Sequence, residues 1–432
     1  MKKRLFAVLL FACIGVISFA GCSTDIIDKA TVVRVWTNDG GGKSTWMKLV
    51  DEFNRTEGKE KNIRREWSTF SGEYPEVVKK AQKSGKLPEI LSLWGSASTQ
   101  CAQTGEILPL SDFEGGEDII KEYDAITAGR TKRYDGKVYS LYSTSNVAGL
   151  IYNKDLFREA GIVDENGEPT PPETFAEMRE YAKKITDREK NIYGYSYPMS
   201  FAPEHVVSLP VATSARIRYD YENLVADVSE YRPIFETLYA MKNDGSLFPG
   251  AEKLDNDTSR AYFAEGKIGM MSGISWDVGV LTTQFVARCD WGVAPFPTAD
   301  GLKKYPAWHD ISGSFFLSSN AKKVEDEKIM TVYRFLFSRK ARMAIYENNV
   351  RLSCMTDIMQ YADKSKLRPQ FISFTEIFDD TYTYSKETPT AIQEFSGIWK
   401  KVWDGEITLD EMFERWNKLT NENIKNSSRK EK

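Results

Sequence analysis

Between residues 32 and 93 the chain alternates strand, helix, strand, helix and strand. That alternation constrains the fold more than any motif does. Val32–Trp36 is an apolar, β-branched run of strand type. Trp46, Leu49, Val50 and Phe53 then recur at i, i+3, i+4 and i+7, one face of a helix. Ile63–Trp67 predicts a second strand, Tyr74–Ser84 a helix with Val77, Val78 and Ala81 inward, and Glu89–Leu93 a third strand. Such an order argues for a parallel α/β layer. In such layers ligands sit beyond the carboxyl ends of the strands, here the loops 37–42, 68–72 and 94–98.

The pattern resumes further on. Tyr139–Tyr142, Leu150–Tyr152 and Trp291–Pro297 are strand-like, and Thr174 with Glu177 three residues later forms a capping box opening a helix. Asp326–Tyr346 and Pro389–Lys418 carry helical periodicity, while 421–432 has the composition of a frayed polar tail. At 432 residues the chain has room for two or three domains, or one large bilobed body. No internal repeat is visible.

The first 22 residues are of another kind. Lys2, Lys3 and Arg4 precede an uncharged stretch, Leu5–Ala20, and small residues lead to Cys22. A charged start, a short apolar run and a small-residue cleavage point describe a secretory signal over 1–21. Phe19-Ala20-Gly21-Cys22 resembles the lipobox of bacterial lipoproteins, which implies a lipid on Cys22 and a polar tether over 22–30. Several acyl chains anchor durably, at about 0.8 kcal/mol per buried CH₂. Cleavage removes three positive charges and shifts the net charge from −4 to −7. Either value argues against a nucleic-acid partner, which needs a basic patch. Cys101, Cys289 and Cys354 remain besides the lipid site, so at most one disulfide can form. The two histidines, His205 and His309, cannot build a multi-histidine metal site, and no metal or other cofactor is implied.

Gly40-Gly41-Gly42-Lys43-Ser44 sits between strand and helix like a phosphate loop, but Thr37 stands where that motif needs its first glycine. The loop reads instead as a glycine-rich ligand loop with free backbone N–H groups. Acidic pairs such as Asp255 with Asp257, or Asp379 with Asp380, read as solvated surface. Trp36, Trp46, Trp291, Trp399 and Trp403 lie in strands or on apolar helix faces and belong to the core, and Trp67 and Trp416 are assigned there too. Trp94, Trp276 and Trp308 stand among Gly, Ser and Asp, with Asp277 and Asp310 close by. A flat ring beside paired acceptors suits a pyranose, whose C–H face stacks while its hydroxyls hydrogen-bond.

Four stretches carry a resemblance to the family 1 extracellular solute-binding proteins, relatives of maltose-binding protein. They are Leu87–Gly95 with Thr104–Leu110, Gly136–Leu141 leading to Leu150–Phe157, Tyr262–Met271, and Trp291–Pro297. The resemblance implies an α/β fold of the two-lobed periplasmic-binding-protein type, class II. Each lobe is expected to be a mainly parallel sheet flanked by helices, with ligand in the cleft between them. Lobe one takes 31–142 and 293–348, lobe two 149–287 and 356–420, and crossovers fall at 143–148, 288–292 and 349–355. The family's ligand contacts fall here on Asn38, Asp39, Trp94, Ser96, Ser98, Asn146, Trp276 and Asp277, to which the residue reading adds Trp308 and Asp310. Asn146 replaces an acidic residue of the best-known maltose binder, so the sugar's identity stays open.

The implied protein is a monomeric, non-catalytic carbohydrate receptor outside the cytoplasmic membrane, lipid-anchored through Cys22 and serving an ABC-type import permease. Two alternatives stay open. One is the same fold binding a polyamine, a phosphate ester or a metal chelate; the other is a secreted glycoside hydrolase with two carboxylates facing one cleft.

Overall fold

The computed structural model describes residues 30–70, 73–93, 95–127, 131–199, 218–220, 223, 225–299, 309–377 and 392–430. The expected signal, Cys22, Trp94, His205 and Trp308 lie outside the described residues, and Ser96 and Asp310 are placed by their backbone alone.

In chain order the strands are β1 (Thr31–Thr37), β2 (Ile63–Thr69), β3 (Ile90–Ser92), β4 (Ile107–Leu108), β5 (Thr131–Tyr134), β6 (Lys137–Leu141) and β7 (Thr144–Asn153). They continue as β8 (Tyr193–Ser196), β9 (Arg218–Asp220), β10 (Val225–Asp227), β11 (Ile268–Ile274), β12 (Trp291–Ala294), β13 (His309–Ser312), β14 (Phe315–Ser318) and β15 (Leu352–Ser353). One sheet has the order β2-β1-β3-β14-β4 and a second β12-β7-β11-β8. The first three predicted strands are β1 to β3, parallel as expected. The helix between β1 and β2, Lys43–Arg55, buries Trp46, Leu49, Val50 and Phe53, the four residues its spacing selected.

The sheets are mixed rather than mainly parallel, and the reason lies in the crossovers. β14, which follows the return from the other lobe, runs antiparallel to β3 and β4. β7 arrives from the first lobe and runs antiparallel to β11 and β12, leaving β11 with β8 as the parallel pair of that sheet.

β7 is the pivot of the architecture. All ten of its residues are buried. Its first half pairs with β13 and β15, its second half with β11 and β12. The core follows it: one apolar cluster runs from Val33, Trp46 and Phe53 through Val147 and Ile151 to Phe263 and Trp291. A second cluster gathers Phe235, Phe395, Trp399, Trp403 and Trp416 in lobe two.

Two expected boundaries shift. The second crossover does not fall at 288–292, because β12 pairs with β7 as far as Ala294 and Phe296 packs in the lobe-two core. Residues 293–299 therefore sit with lobe two, and the strand that pairs with the crossover half of β7 is β13. Residues 356–367 pack on lobe one instead of lobe two. Asp357 faces Arg339 at 3.5 Å, and Lys366 holds Glu347 at 2.6 Å.

The helices also differ in detail from their periodicity. The predicted Asp326–Tyr346 helix breaks at Ser338, which ends Asp326–Phe337 and caps Arg339–Glu347 by accepting from Ala341 N–H at 3.3 Å. The C-terminal helix breaks at Gly405, whose φ of +79° suits glycine, and a Thr408–Glu411 capping box starts Leu409–Lys430. The expected polar tail is thus helical through Lys430. The Thr174–Glu177 capping box forms as predicted. Cys101, Cys289 and Cys354 form no disulfide with one another.

Candidate functional site

The site is assembled where the two sheets meet. β1 ends at Thr37, and Asp39 follows in the loop that opens the helix Lys43–Arg55. Thr37 Oγ1 accepts from the Asp39 N–H at 3.1 Å, and the Trp46 indole N–H donates to Asp39 Oδ2 at 3.2 Å. Gly42 makes this possible: a β-carbon there would lie 2.3 Å from Asp39 Oδ2. The glycine-rich loop therefore serves to fold the carboxylate back over the helix start.

From lobe two, β11 ends at Ile274 and Trp276 precedes the helix Asp277–Thr283. Ser275 ties this loop to the pivot strand, its N–H donating to Val147 O at 2.9 Å and its hydroxyl accepting from Val147 N at 3.3 Å. Trp276 follows directly, and Asn146, the residue before Val147, is buried in β7 and stands opposite Asp310 in the β7–β13 register. Three of the predicted contacts, Asp39, Asn146 and Trp276, lie at this junction, with the backbone of Asp310 opposite Asn146.

A residue the sequence reading did not select joins them. Arg351, one residue before β15, donates from Nη2 to Asp39 Oδ1 at 3.0 Å, and its guanidinium carbon lies 4.9 Å from the centre of the Trp276 ring. Both ends of the ion pair are sheltered, with 22% of the Arg351 side chain and 17% of Asp39 exposed. No local pattern marks Arg351. It falls inside the expected third crossover, and that position was its one signal. Beside the cluster a groove of about 620 Å³ runs between the lobes, within the range of small-ligand sites. Its walls are Gly41, Ser44 and Thr45 on one side and Gly279, Thr282 and Thr283 on the other, with Glu347–Val350, Lys366 and Arg368 completing the lining. Among the described residues no aromatic ring lines it, and Trp276 stands in the Asp39–Arg351 cluster beside it.

Other predicted contacts are used differently. Asp277 is a buried structural carboxylate, not a hydroxyl acceptor. Its Oδ1 is held by Arg260 at 2.6 Å and its Oδ2 accepts from Ile274 N–H at 2.8 Å. Burial opposes the charge on Arg260, but Asp277 and Asp257 outweigh it and hold the guanidinium above its ordinary value. Asp277 therefore positions the turn that presents Trp276. Ser98 is likewise interior, its hydroxyl accepting from Tyr134 at 2.6 Å. Asn38 is exposed at the rim. Behind Asp39 the buried Arg342 lies 5.3 Å from the Trp46 ring, and burial pushes its guanidinium down to about 10. Among the described residues no group of three His, Cys, Asp or Glu could hold a metal ion, and no helix is long and apolar enough to cross a membrane.

The family model described as bacterial extracellular solute-binding protein matches residues 48–349. The maltotriose-binding protein of Pyrococcus abyssi is 23% identical over 233 residues, 53% of this chain and 47% of the relative. The chain thus spans about half the length of that relative. The sn-glycerol-3-phosphate-binding periplasmic protein UgpB of Brucella abortus is 24% identical over 326 residues, 72% of this chain and 71% of its own. Among solved structures, the maltose/maltodextrin-binding domain MalE of Bdellovibrio bacteriovorus bound to maltotriose superposes with a TM-score of 0.69 at 18% identity. That match covers 92% of this chain and 100% of the other, and the shared fold is the two-lobed one of periplasmic solute-binding proteins. With the family match extending over more than half of its length, the chain belongs to the bacterial extracellular solute-binding proteins.

Proposed function

We propose that this protein is a non-catalytic carbohydrate receptor that holds a mono- or oligosaccharide between its lobes and delivers it to an ABC-type import permease. The observation that carries the reading is the meeting of Asp39 from lobe one with Trp276 from lobe two, an acceptor and a stacking ring brought together at one place. Asn146 adds a buried polar side chain at the β7–β13 register. The maltotriose-binding relative and the maltotriose-bound structural neighbour favour the same ligand class. A hydrolase needs two free carboxylates across the cleft, and Asp39 and Asp277 are both paired with arginines. The N-terminal signal and Cys22 supply the anchor outside the cytoplasmic membrane; replacing Cys22 by Ser is expected to release the protein from membrane fractions.

One observation favours a second reading. Arg351 in the cluster, together with the sn-glycerol-3-phosphate-binding relative, suits a phosphate ester. Thermal-shift screening against maltotriose, mannotriose, tagatose, spermidine and glycerol 3-phosphate decides, because a ligand at 100 times its Kd adds about 2.7 kcal/mol. A saccharide is expected to give the shift, with Kd in the micromolar range. Trp276→Ala is expected to weaken its binding by about 1–3 kcal/mol without lowering the unliganded Tm by much. A shift from glycerol 3-phosphate alone overturns the carbohydrate reading in favour of the second.

A further inference from the structure

The residues chosen for sugar contact are already in contact with a group of the protein itself. Arg351 spends one hydrogen-bonding edge on Asp39 and sets its guanidinium plane near the Trp276 ring. Those are the two things a pyranose would do there: bond the carboxylate and cover the ring. Asp39 follows β1 in the first lobe and Trp276 follows β11 in the second, while Arg351 lies on the crossover just before β15. A single side chain therefore ties the lobes through the ligand contacts themselves.

We propose that Arg351 competes with the ligand for Asp39 and Trp276, and so both sets the affinity of the cleft and links the lobes; this rests on the carbohydrate reading for its ligand. The ion pair is partly desolvated, so solvent screens it less than a surface pair. The cation–π contact adds to it. A saccharide that takes the carboxylate and the ring face must displace both contacts, and its measured affinity is net of that loss. Arginine suits the role because its planar guanidinium imitates a sugar twice over, donating in the ring plane and stacking through its face. Asp39 is held from the other side by the Trp46 indole, so it keeps its place when Arg351 leaves.

The test compares wild type with Arg351→Gln and Arg351→Ala, each checked for native circular dichroism. Small-angle scattering of the purified, dialysed proteins reads the tie without any ligand: the variants are expected to show a larger radius of gyration than wild type. Titration calorimetry with the saccharide found by the screen reads the competition: both variants are expected to bind about 5- to 30-fold more tightly. Wild-type affinity should also rise between 50 mM and 500 mM salt, and that of the variants should not. Unchanged or weaker binding by folded variants overturns the competition, and an unchanged radius of gyration overturns the tie. If no saccharide binds wild type, the carbohydrate reading has failed, and the scattering comparison alone then decides the proposal.

Discussion

Arg65 offers the sharpest test of the physical reasoning, because its environment is wrong for a charge. It lies on β2, 1% exposed, with its guanidinium carbon 4.9 Å from the Phe53 ring and 4.4 Å from that of Phe335. Its Nε, Nη1 and Nη2 are buried and make no hydrogen bond. Burial pushes the guanidinium down to about 9, still above neutrality, so the charge is present at pH 7 and uncompensated by any carboxylate. A displacement of that size corresponds to a desolvation penalty of about 5 kcal/mol. Two desolvated cation–π contacts offset about 1–2 kcal/mol each. The net cost is about 1–3 kcal/mol, so Arg65→Met, which keeps the length and fills between the rings, is expected to stabilise by that amount. Differential scanning calorimetry at pH 7 should show a Tm higher by a few degrees, and urea denaturation a later midpoint with the same slope. The sign with pH follows from the lowered value. From about 9 up to the ordinary arginine value the unfolded chain holds the proton more tightly, so wild-type stability gains with rising pH there and the advantage of Met shrinks. A folded Arg65→Met protein that melts below wild type refutes the argument: the planar stack between two phenylalanines would then outweigh the buried charge.

Asp277→Ala removes the partner of a buried Arg260 and the acceptor of Ile274 N–H, and is expected to destabilise by about 3–5 kcal/mol in thermal melts, well beyond Trp276→Ala. Asp244 accepts from Ser246 Oγ at 2.6 Å and Arg179 Nε at 2.9 Å. Burial raises its pKa but these bonds outweigh it, holding the carboxyl below the usual range. Its contribution is therefore full above about pH 4 and lost as pH falls through the folded value, and Asp244→Asn should flatten that part of a stability–pH curve. Burial, with Asp155 and Asp290 nearby, pushes the Cys289 thiol up to about 11. Iodoacetamide labelling of Cys289, followed by peptide mass mapping, should be slow at pH 8 and accelerate steeply towards pH 11.

The strands and helix faces were legible because their signal is local. Trp46, Leu49, Val50 and Phe53 share a face by spacing alone, and burial in the fold follows from it. What spacing cannot carry is pairing across long separations. β13 is a four-residue strand from a polar stretch, and its partner in β7 is what makes it a strand. The same limit hid the turn of direction in β7 and β14, and with it the mixed character of both sheets. Within the site, Trp276 and Asp277 are neighbours of equal promise in sequence. They part only because the Asp277 side chain turns back to Ile274 N–H and Arg260. Arg351 and Asp39 are 312 residues apart, and nothing near either announces the other.

The site lies at the junction for a reason built into β7. Its first four residues are bound to the crossover strands and its last six to the lobe-two sheet, so a rotation of one sheet against the other would be taken up near Val147 and Ala148. Trp276 would move with lobe two because it follows β11, while its loop is anchored at the pivot through Ser275 to Val147. Asp39 is fastened to Thr37 and Trp46 and moves with lobe one. Arg351 sits one residue outside β15 and stays with the crossover. A rotation of a few degrees about β7 would thus change the Asp39–Trp276 separation, with Arg351 carried by the crossover segment that pairs with the start of β7. A ligand that fits between the two selects one angle, and a two-lobed receptor needs that coupling of ligand shape to lobe angle if its closed form is to be recognised by another protein.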